Sequence, residues 1–318
     1  MDKENQDGSF KRELGFLDGT MLVVGTMIGS GIFIVSADIA RQVGSAGWLI
    51  LIWVVTAIIT IIAAVSYGEL SAMFPKAGGQ YVYLKEAFNP LIAFLYGWSF
   101  FAVIQTGTIA AVGVAFSKFM AYFVPQVSED LVLLDLGFLK ISPAQIVSIV
   151  IIVLLTYINT RGIQGGKAIQ TTFTVTKILS LFGLILFGFI MMDGDVWQNN
   201  WANAWSLSKL NADGSIEAYT TIAAVGAIAA AMVGSIFSSD AWNNVTFIAG
   251  EMKNPQRNIG LSLFLGTLIV TIIYVSANIM YTSVLPLQEI AFAEKDRVAV
   301  AASTVIFGGV GTIIIALM

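Results

Sequence analysis

The chain contains 318 residues, of which 57% are hydrophobic and only 11% are charged, with 16 Lys plus Arg against 20 Asp plus Glu. A soluble domain has roughly 25% charged residues and a nucleic-acid-binding surface is basic, so both classes are disfavoured. The sequence has no His and no Cys, which excludes disulfides, thiol chemistry, haem and the usual zinc sites. We therefore expect no nucleic-acid partner, no cofactor and no metal.

Eight long apolar runs follow one another along the sequence. They are 19–37, 42–68, 87–117, 141–160, 168–192, 218–250, 258–288 and 298–318, and their only charged residues are Lys177 and Asp240. Each run is about as long as the ~20 residues that cross the hydrocarbon core of a bilayer, or longer. Helices that pack on one face in a soluble protein need polar residues on the other face. The pattern predicts an all-α polytopic protein of the lipid bilayer.

The connections between these runs predict the domain organisation and the orientation. We expect an N-terminal arm at 1–18, a first set of five helices at 19–192, an extracytoplasmic connection at 193–217 and three further helices at 218–318. Nine Lys and Arg fall on the side of the arm and six on the opposite side. Because basic residues collect in cytoplasmic loops, the arm is predicted to be cytoplasmic. The protein as a whole is predicted to lie in a cell membrane. The acidic, cysteine-free composition is compatible with a prokaryotic inner membrane.

The first run contains three glycines and a serine at mid-membrane depth, within Gly25–Phe33. Glycine weakens a helix, and lipid offers no water to satisfy the freed backbone groups. Taken alone, the run is equally compatible with a broken helix and with close packing of a neighbour on small residues.

The sixth run has a polar cluster, Gly234–Asn244, inside an apolar sequence. Ser, Asp and Asn compete for backbone hydrogen bonds, so a break near 238–240 is predicted. Breaks five runs apart are typical of a five-plus-five inverted repeat, whose substrate site lies where the two broken helices meet. Exposed N–H groups there attract a carboxylate and freed carbonyls attract an ammonium group, so a zwitterionic amino acid fits.

Four segments carry a resemblance to a known family. They are Val24–Phe33, Tyr67–Leu70 with Phe74–Tyr83, Asp240–Asn244 and Gly250–Asn258. In this order, they make the sequence similar to the amino acid–polyamine–organocation superfamily and, within it, the L-type amino acid transporter family. The resemblance implies a leucine-transporter-like fold of twelve helices with discontinuous first and sixth helices. Since the sequence contains eight apolar runs, we expect a fragment that stops inside the eighth of these twelve helices.

The resemblance also implies a site for an amino acid and no catalytic residue. The N–H groups of Ser30 and Gly31, beside Gly29, and the Ser30 hydroxyl resemble the family's carboxylate cradle. The carbonyls that resemble the ammonium site belong to Met27, Phe237, Ser238 and Asp240. The Phe237 ring resembles a gate over the substrate, and Asn243 resembles a residue that links the sixth helix to its neighbours.

Lys177 lies in the middle of the fifth run. A lysine at the centre of a membrane helix costs about 2.5–3.5 kcal/mol, so it is a functional candidate by default. In sodium-independent members of the superfamily a lysine takes the place of a sodium ion and bonds carbonyls of the broken first helix. Lys177 matches that position, and the resemblance therefore implies sodium independence.

Asp240 has two interpretations. An Asp at this position caps the start of a helix, which would be the second half of the sixth span. Alternatively, it binds a basic side chain of the substrate or takes a proton. Both remain open at the level of the sequence.

The expected function is sodium-independent transport of L-amino acids, neutral ones favoured, by alternating access and as an exchanger. The alternatives are a proton-coupled symporter, a transporter that prefers cationic amino acids and, in a different class, a passive channel. An enzyme is disfavoured because His, Cys and paired intramembrane carboxylates are absent. Animal members of the family join a heavy subunit through a cysteine, and with no Cys we expect no such disulfide-linked partner.

Overall fold

The computed structural model describes residues 12–137, 140–161, 163–309 and 311, and the described part is mainly helical. The helices are α1 (Phe16–Met27), α2 (Gly31–Val43), α3 (Ala46–Met73), α4 (Gln80–Ala87), α5 (Pro90–Ser99), α6 (Thr106–Phe123), α7 (Pro143–Thr160), α8 (Ile163–Ile190), α9 (Gly194–Ala202), α10 (Thr221–Ser238), α11 (Pro255–Val284), α12 (Leu287–Ala291) and α13 (Val298–Phe307). Two short antiparallel hairpins pair β1 (Leu134–Asp135) with β2 (Lys140–Ile141) and β3 (Ser208–Leu210) with β4 (Ile216–Ala218).

Six of the described helical segments are long and apolar enough to cross a membrane, and the bent pair of α1 and α2 adds a seventh span. A π-helical turn at Phe100–Gln105 joins α5 and α6 into one of these segments. The seven spans correspond to the first seven apolar runs. The prediction of an all-α polytopic membrane protein is confirmed. The eighth run, 298–318, begins with the shorter helix α13, and its positions 310 and 312–318 lie outside the described residues.

The N-terminal arm and the first helix meet earlier than the sequence indicates. Positions 1–11 of the expected 1–18 arm lie outside the described residues, and α1 already begins at Phe16. Asp18 belongs to the first helical turn, where its carboxylate accepts the Gly15 N–H at 2.9 Å. A negative charge is favourable at that end of a helix, which explains the earlier start. Leu14 forms a parallel bridge with Met252, so the start of α1 is attached to the segment before α11.

The connection at 193–217 contains α9 and strand β3, and one amide anchors it. The Asn200 side chain donates to the carbonyls of Thr282 and Leu285 at 2.9 and 2.8 Å, and it accepts the Leu287 N–H at 2.9 Å. These groups belong to the end of α11 and the start of α12. These three hydrogen bonds attach the connection to the C-terminal end of α11.

The core lies where α11 packs between α1 and α3. Gly68 of α3 and Gly260 of α11 are so close that a Cβ on Gly68 would lie 3.1 Å from the Cα of Gly260. Within the described part, 44% of the most apolar 18-residue stretch of α11 is buried. The corresponding share in the span Pro90–Phe123 is 6%. Apolar side chains facing outwards suit lipid, so α1, α3 and α11 form the centre and α5–α7 the periphery.

Candidate functional site

The first span is broken between α1 and α2. Helix α1 ends at Met27, Ile28 adopts an extended conformation, and α2 restarts at Gly31 with its axis turned by 43°. The prediction from Gly25–Phe33 left a broken helix and close packing as alternatives, and the structure has the break. The last carbonyls of α1 and the first N–H groups of α2 have no partners inside their own helices.

Lys177 of α8 binds the carbonyl end of this break. Its ammonium donates to the Gly25 carbonyl at 3.3 Å and to the Ile28 carbonyl at 2.5 Å. Carbonyls at the end of a helix carry partial negative charge, so a cation is favourable there and these bonds are charge-assisted. The lysine thus contacts the first broken helix in the manner that the resemblance implies.

The sixth span breaks after α10. The helix ends at Ser238, the next residues leave the helical path, and Ala241 has a left-handed backbone with φ of 68°. The chain then continues as a 3-10 turn over Trp242–Thr246, in which the Thr246 hydroxyl donates to the Asn243 carbonyl at 2.7 Å. The predicted break near 238–240 is confirmed, although a 3-10 turn follows it in place of an α-helix.

Of the two interpretations of Asp240, the structure does not show the capping one. The residue that precedes the 3-10 turn is Ala241, and no side-chain capping bond is made there within the described part. The physical reason is the left-handed Ala241, which moves the start of the turn one residue beyond Asp240. The Asp240 side chain is exposed, and its backbone N–H donates to the Phe237 carbonyl at 3.3 Å.

The two breaks lie against each other. A Cβ added to Gly31 would lie 2.6 Å from the Cβ and 3.1 Å from the Cα of Ser238, so only a glycine allows this approach. The Thr26 hydroxyl, at the end of α1, is 3.1 Å from the Ala241 carbonyl in the sixth break. The folded chain therefore brings both interrupted helices to one place.

Tyr274 of α11 joins the two breaks, and the sequence analysis missed it. Its buried hydroxyl lies 2.8 Å from the Met27 carbonyl and 3.2 Å from the Ser238 carbonyl, and it shares its proton between them. The ring packs edge-on against Trp53 of α3, with 5.3 Å between centroids. A tyrosine in the middle of a membrane span needs a partner for its hydroxyl, and this was the available signal.

The predicted carboxylate cradle lies at the start of α2. Ser30 immediately precedes the helix, and Gly29 is exposed with nothing within 4 Å of its Cβ position. The Met27 carbonyl, by contrast, accepts both the Gly29 N–H at 2.9 Å and the Tyr274 hydroxyl. Two donors use both lone pairs of a carbonyl oxygen, so this oxygen is fully engaged.

On the sixth span, Phe237 is 58% exposed and Ser238 is buried. The Ser238 hydroxyl donates back to the Gly234 carbonyl at 2.8 Å, its side chain lies against Gly31, and its carbonyl faces the Tyr274 hydroxyl. The structure thus brings the predicted residues of both spans together, with an exposed aromatic ring and an exposed carboxylate at the sixth break. Asn243 lies in the 3-10 turn, and its linking role stays a prediction.

Comparison with known proteins gives related sequences over almost the full chain. The model of the amino acid permease family matches residues 14–318. The chain is 30% identical over 306 residues to the b(0,+)-type amino acid transporter 1 of Mus musculus, covering 94% of this chain and 58% of that protein. It is 29% identical over 319 residues to the large neutral amino acids transporter small subunit 2 of Mus musculus, covering 95% and 56%. The chain therefore spans less than three fifths of the length of these curated relatives.

Proposed function

Because the chain belongs to the amino acid permease family, we propose that it is a sodium-independent secondary transporter that exchanges L-amino acids, neutral ones first, by alternating access. The family and the transporter relatives point to a transporter and not to an enzyme. The observation that carries the finer proposal is the Lys177 ammonium on the carbonyls of Gly25 and Ile28. In this proposal 19–192 is the first repeat and 218–318 belongs to the second.

The substrate carboxylate binds at the start of α2. The N–H groups of Ser30 and Gly31 lack partners within the helix, and the positive end of the helix dipole favours an anion. The Ser30 hydroxyl adds a third donor. Gly29, with open space around its Cβ position, leaves room for the substrate beside this cradle.

The substrate ammonium binds carbonyls at the sixth break. Those of Phe237, Ser238 and Asp240 supply the acceptors, while the Met27 carbonyl joins them when one of its two present donors leaves. The exposed Phe237 ring lies next to these groups in the chain and serves as the gate over the substrate. An amino acid bound this way holds the two breaks together, so binding is coupled to the relative position of the two spans.

Sodium independence follows from the fixed position of the ammonium. A lysine cannot leave with the substrate, so no sodium ion is moved and a sodium gradient supplies no driving force. Uptake against a concentration gradient is then driven by an amino acid travelling in the opposite direction, which is the exchange mode. The 318 residues contain no cysteine, and we propose an exchanger that acts without a disulfide-linked subunit, with its N-terminus in the cytoplasm.

The test is uptake of labelled alanine by proteoliposomes that are either empty or preloaded with alanine, in sodium or in choline buffer. We expect uptake in preloaded vesicles alone and equal rates in the two buffers. Collapse of uptake in choline would contradict the role of Lys177. Concentrative uptake into empty vesicles under an inward proton gradient would contradict exchange and indicate proton-coupled symport.

A transporter of cationic amino acids is the second candidate, and the exposed Asp240 carboxylate at the sixth break favours it. The carboxylate makes no capping bond there, so it is free of the structural role that a capping Asp has. In this case Asp240→Asn should abolish arginine transport and leave alanine transport within about twofold, because only the former substrate needs the charge. Equal losses for both substrates would remove this candidate.

A further inference from the structure

The buried face of α8 changes from polar to apolar at Lys177. One stripe of the helix is buried or half-buried along its length, and in chain order it contains Gly166, Gln170, Thr174, Lys177, Leu181, Leu184 and Gly188. Steps of three and four residues place these positions on one face of a helix. The side chains are polar up to Lys177 and apolar beyond it.

The polar half of the stripe faces α1 at Gly25. The Thr174 hydroxyl and the Gln170 amide nitrogen occupy the space that a Cβ on Gly25 would fill. Both polar atoms therefore lie next to the same backbone, and Thr174 and Gln170 are about one and two helical turns before the lysine whose ammonium bonds the Gly25 carbonyl. The glycine makes room for two polar groups where a larger residue would close the space.

Two hydrogen-bonding positions in this half have no protein partner. The Thr174 side chain is 1% exposed, and its hydroxyl has no hydrogen-bond partner in the described part of the chain. A buried unpaired hydroxyl costs about 1–3 kcal/mol, so such groups are normally satisfied by protein or by water. Of the three N–H groups of Lys177, the described contacts with Gly25 and Ile28 use two.

The apolar half of the stripe is closed. Leu181 is 0% and Leu184 is 1% exposed, and both belong to the hydrophobic core. Further along, a Cβ on Gly188 would meet the side chains of Met280 and Ile306. Polar groups thus lie on one side of Lys177 and tight apolar packing on the other.

We propose that water reaches Lys177 along α8 from one side of the membrane alone, the side on which Arg161 lies, through a path lined by Gln170 and Thr174. A water in this path accepts from the third N–H of Lys177 and bonds the Thr174 hydroxyl, which satisfies both groups. Leu181 and Leu184 block the opposite direction. The inference goes beyond the proposed transport function, because it concerns access to the lysine and not the substrate.

The chain has no cysteine, so single cysteines report on this path without background. The test variants are Gln170→Cys and Thr174→Cys, and the matched controls on the same stripe are Leu181→Cys and Leu184→Cys. Arg161→Cys and Asp213→Cys mark the two membrane sides, because α8 separates them. Each variant, after size-exclusion chromatography has shown that it is folded, is treated in proteoliposomes with a membrane-impermeant charged methanethiosulfonate added on one side. The labelled fraction is read by mass spectrometry.

We expect positions 170 and 174 to react from the side that labels Arg161→Cys, and at least about tenfold faster than positions 181 and 184, because only a hydrated thiol ionises. Failure of both positions to react from that side, reaction from the side of Asp213→Cys, or equal reaction at 181 and 184 would each overturn the proposal. If Thr174→Cys does not fold, the half-buried Gln170→Cys decides alone. Labelling needs no transport, so the result is independent of the proposed function.

Discussion

The two broken spans are held in different ways. At the first break, the carbonyls of Gly25, Met27 and Ile28 accept hydrogen bonds from Lys177 and Tyr274. The chain then resumes as a regular α-helix. The sixth break is bonded through Tyr274, which reaches Ser238, and through Thr26, which belongs to the first span. It resumes as a 3-10 turn after a left-handed Ala241, with its carboxylate and its aromatic ring exposed.

This difference indicates a division of roles. Side chains of two other helices, α8 and α11, bond the first break, which suits the rigid cradle that we propose for the carboxylate shared by all amino acids. The sixth break is bonded by α11 and by the first span, and it exposes the side chains of Phe237 and Asp240, which we propose face the substrate. We therefore expect damage to the first break to abolish binding and damage to the sixth to change selectivity or stability.

The largest effect should come from Lys177→Met, which removes the cation from the first break. Two carbonyls then lose charge-assisted bonds, each worth about 1.5–3 kcal/mol, and alanine exchange should fall by at least about tenfold. Thr176→Val is the control, since the Thr176 hydroxyl bonds only the Thr172 carbonyl of its own helix. Comparable exchange by the two variants would show that the first break does not need Lys177.

The contact between the breaks is tested by Gly31→Ala with Gly29→Ala as its matched control. A methyl group at position 31 meets the backbone of Ser238, so we expect a loss of about 1–3 kcal/mol of stability from overpacking. Position 29 has open space, and its variant should stay within about 0.5 kcal/mol. Thermal unfolding of the purified proteins measures both, and equal midpoints would mean that the two breaks are not in contact.

Tyr274→Phe removes the hydroxyl that joins the breaks and keeps the ring against Trp53. We expect alanine binding to weaken by about tenfold, because the hydroxyl that bonds both the Met27 and the Ser238 carbonyls is lost. Tyr281→Phe is the control, since its hydroxyl donates to the Ile32 carbonyl inside α2 at 3.3 Å and does not bond the Met27 or the Ser238 carbonyl. If the control weakened binding as much, the loss would reflect general packing of α11.

The smallest effect concerns the left-handed Ala241. Glycine adopts this conformation without the steric cost of about 1–2 kcal/mol that alanine bears, so Ala241→Gly should raise stability by about 0.5 kcal/mol after the entropy of the unfolded chain is subtracted. Ala223→Gly, at an exposed position inside α10, should lower stability by about 0.5–1 kcal/mol. Opposite shifts of the two thermal midpoints support a strained sixth break, and shifts of the same sign contradict it.

The spans and both breaks could be predicted from the sequence, because exclusion of charge and clusters of Gly, Ser, Asp and Asn are local properties. The role of Tyr274 could not be predicted, because it depends on carbonyls of two other spans. A lone tyrosine in an apolar run is otherwise typical of packing. The 3-10 turn after the sixth break was also missed. It depends on the left-handed Ala241, which no propensity of alanine predicts.

The structure supports the proposed roles of Lys177 and Met27 to different degrees. The place of Lys177 was implied by a family resemblance, and its contact with Gly25 and Ile28 is present in the structure. The Met27 carbonyl, implied as an ammonium ligand, already has two donors. One of these donors, Tyr274, is distant in sequence, and the other, the Gly29 N–H, reaches Met27 only because the chain turns at the break, so the sequence could not reveal this competition.

The most direct test of the central claim is equilibrium binding of labelled alanine to the purified protein in sodium and in choline buffers of equal ionic strength. The account predicts the same Kd within about twofold in both, because the Lys177 ammonium already occupies the carbonyl end of the first break. Binding that is about tenfold or more tighter in sodium would contradict it, since a bound sodium ion would then be doing what the lysine is proposed to do.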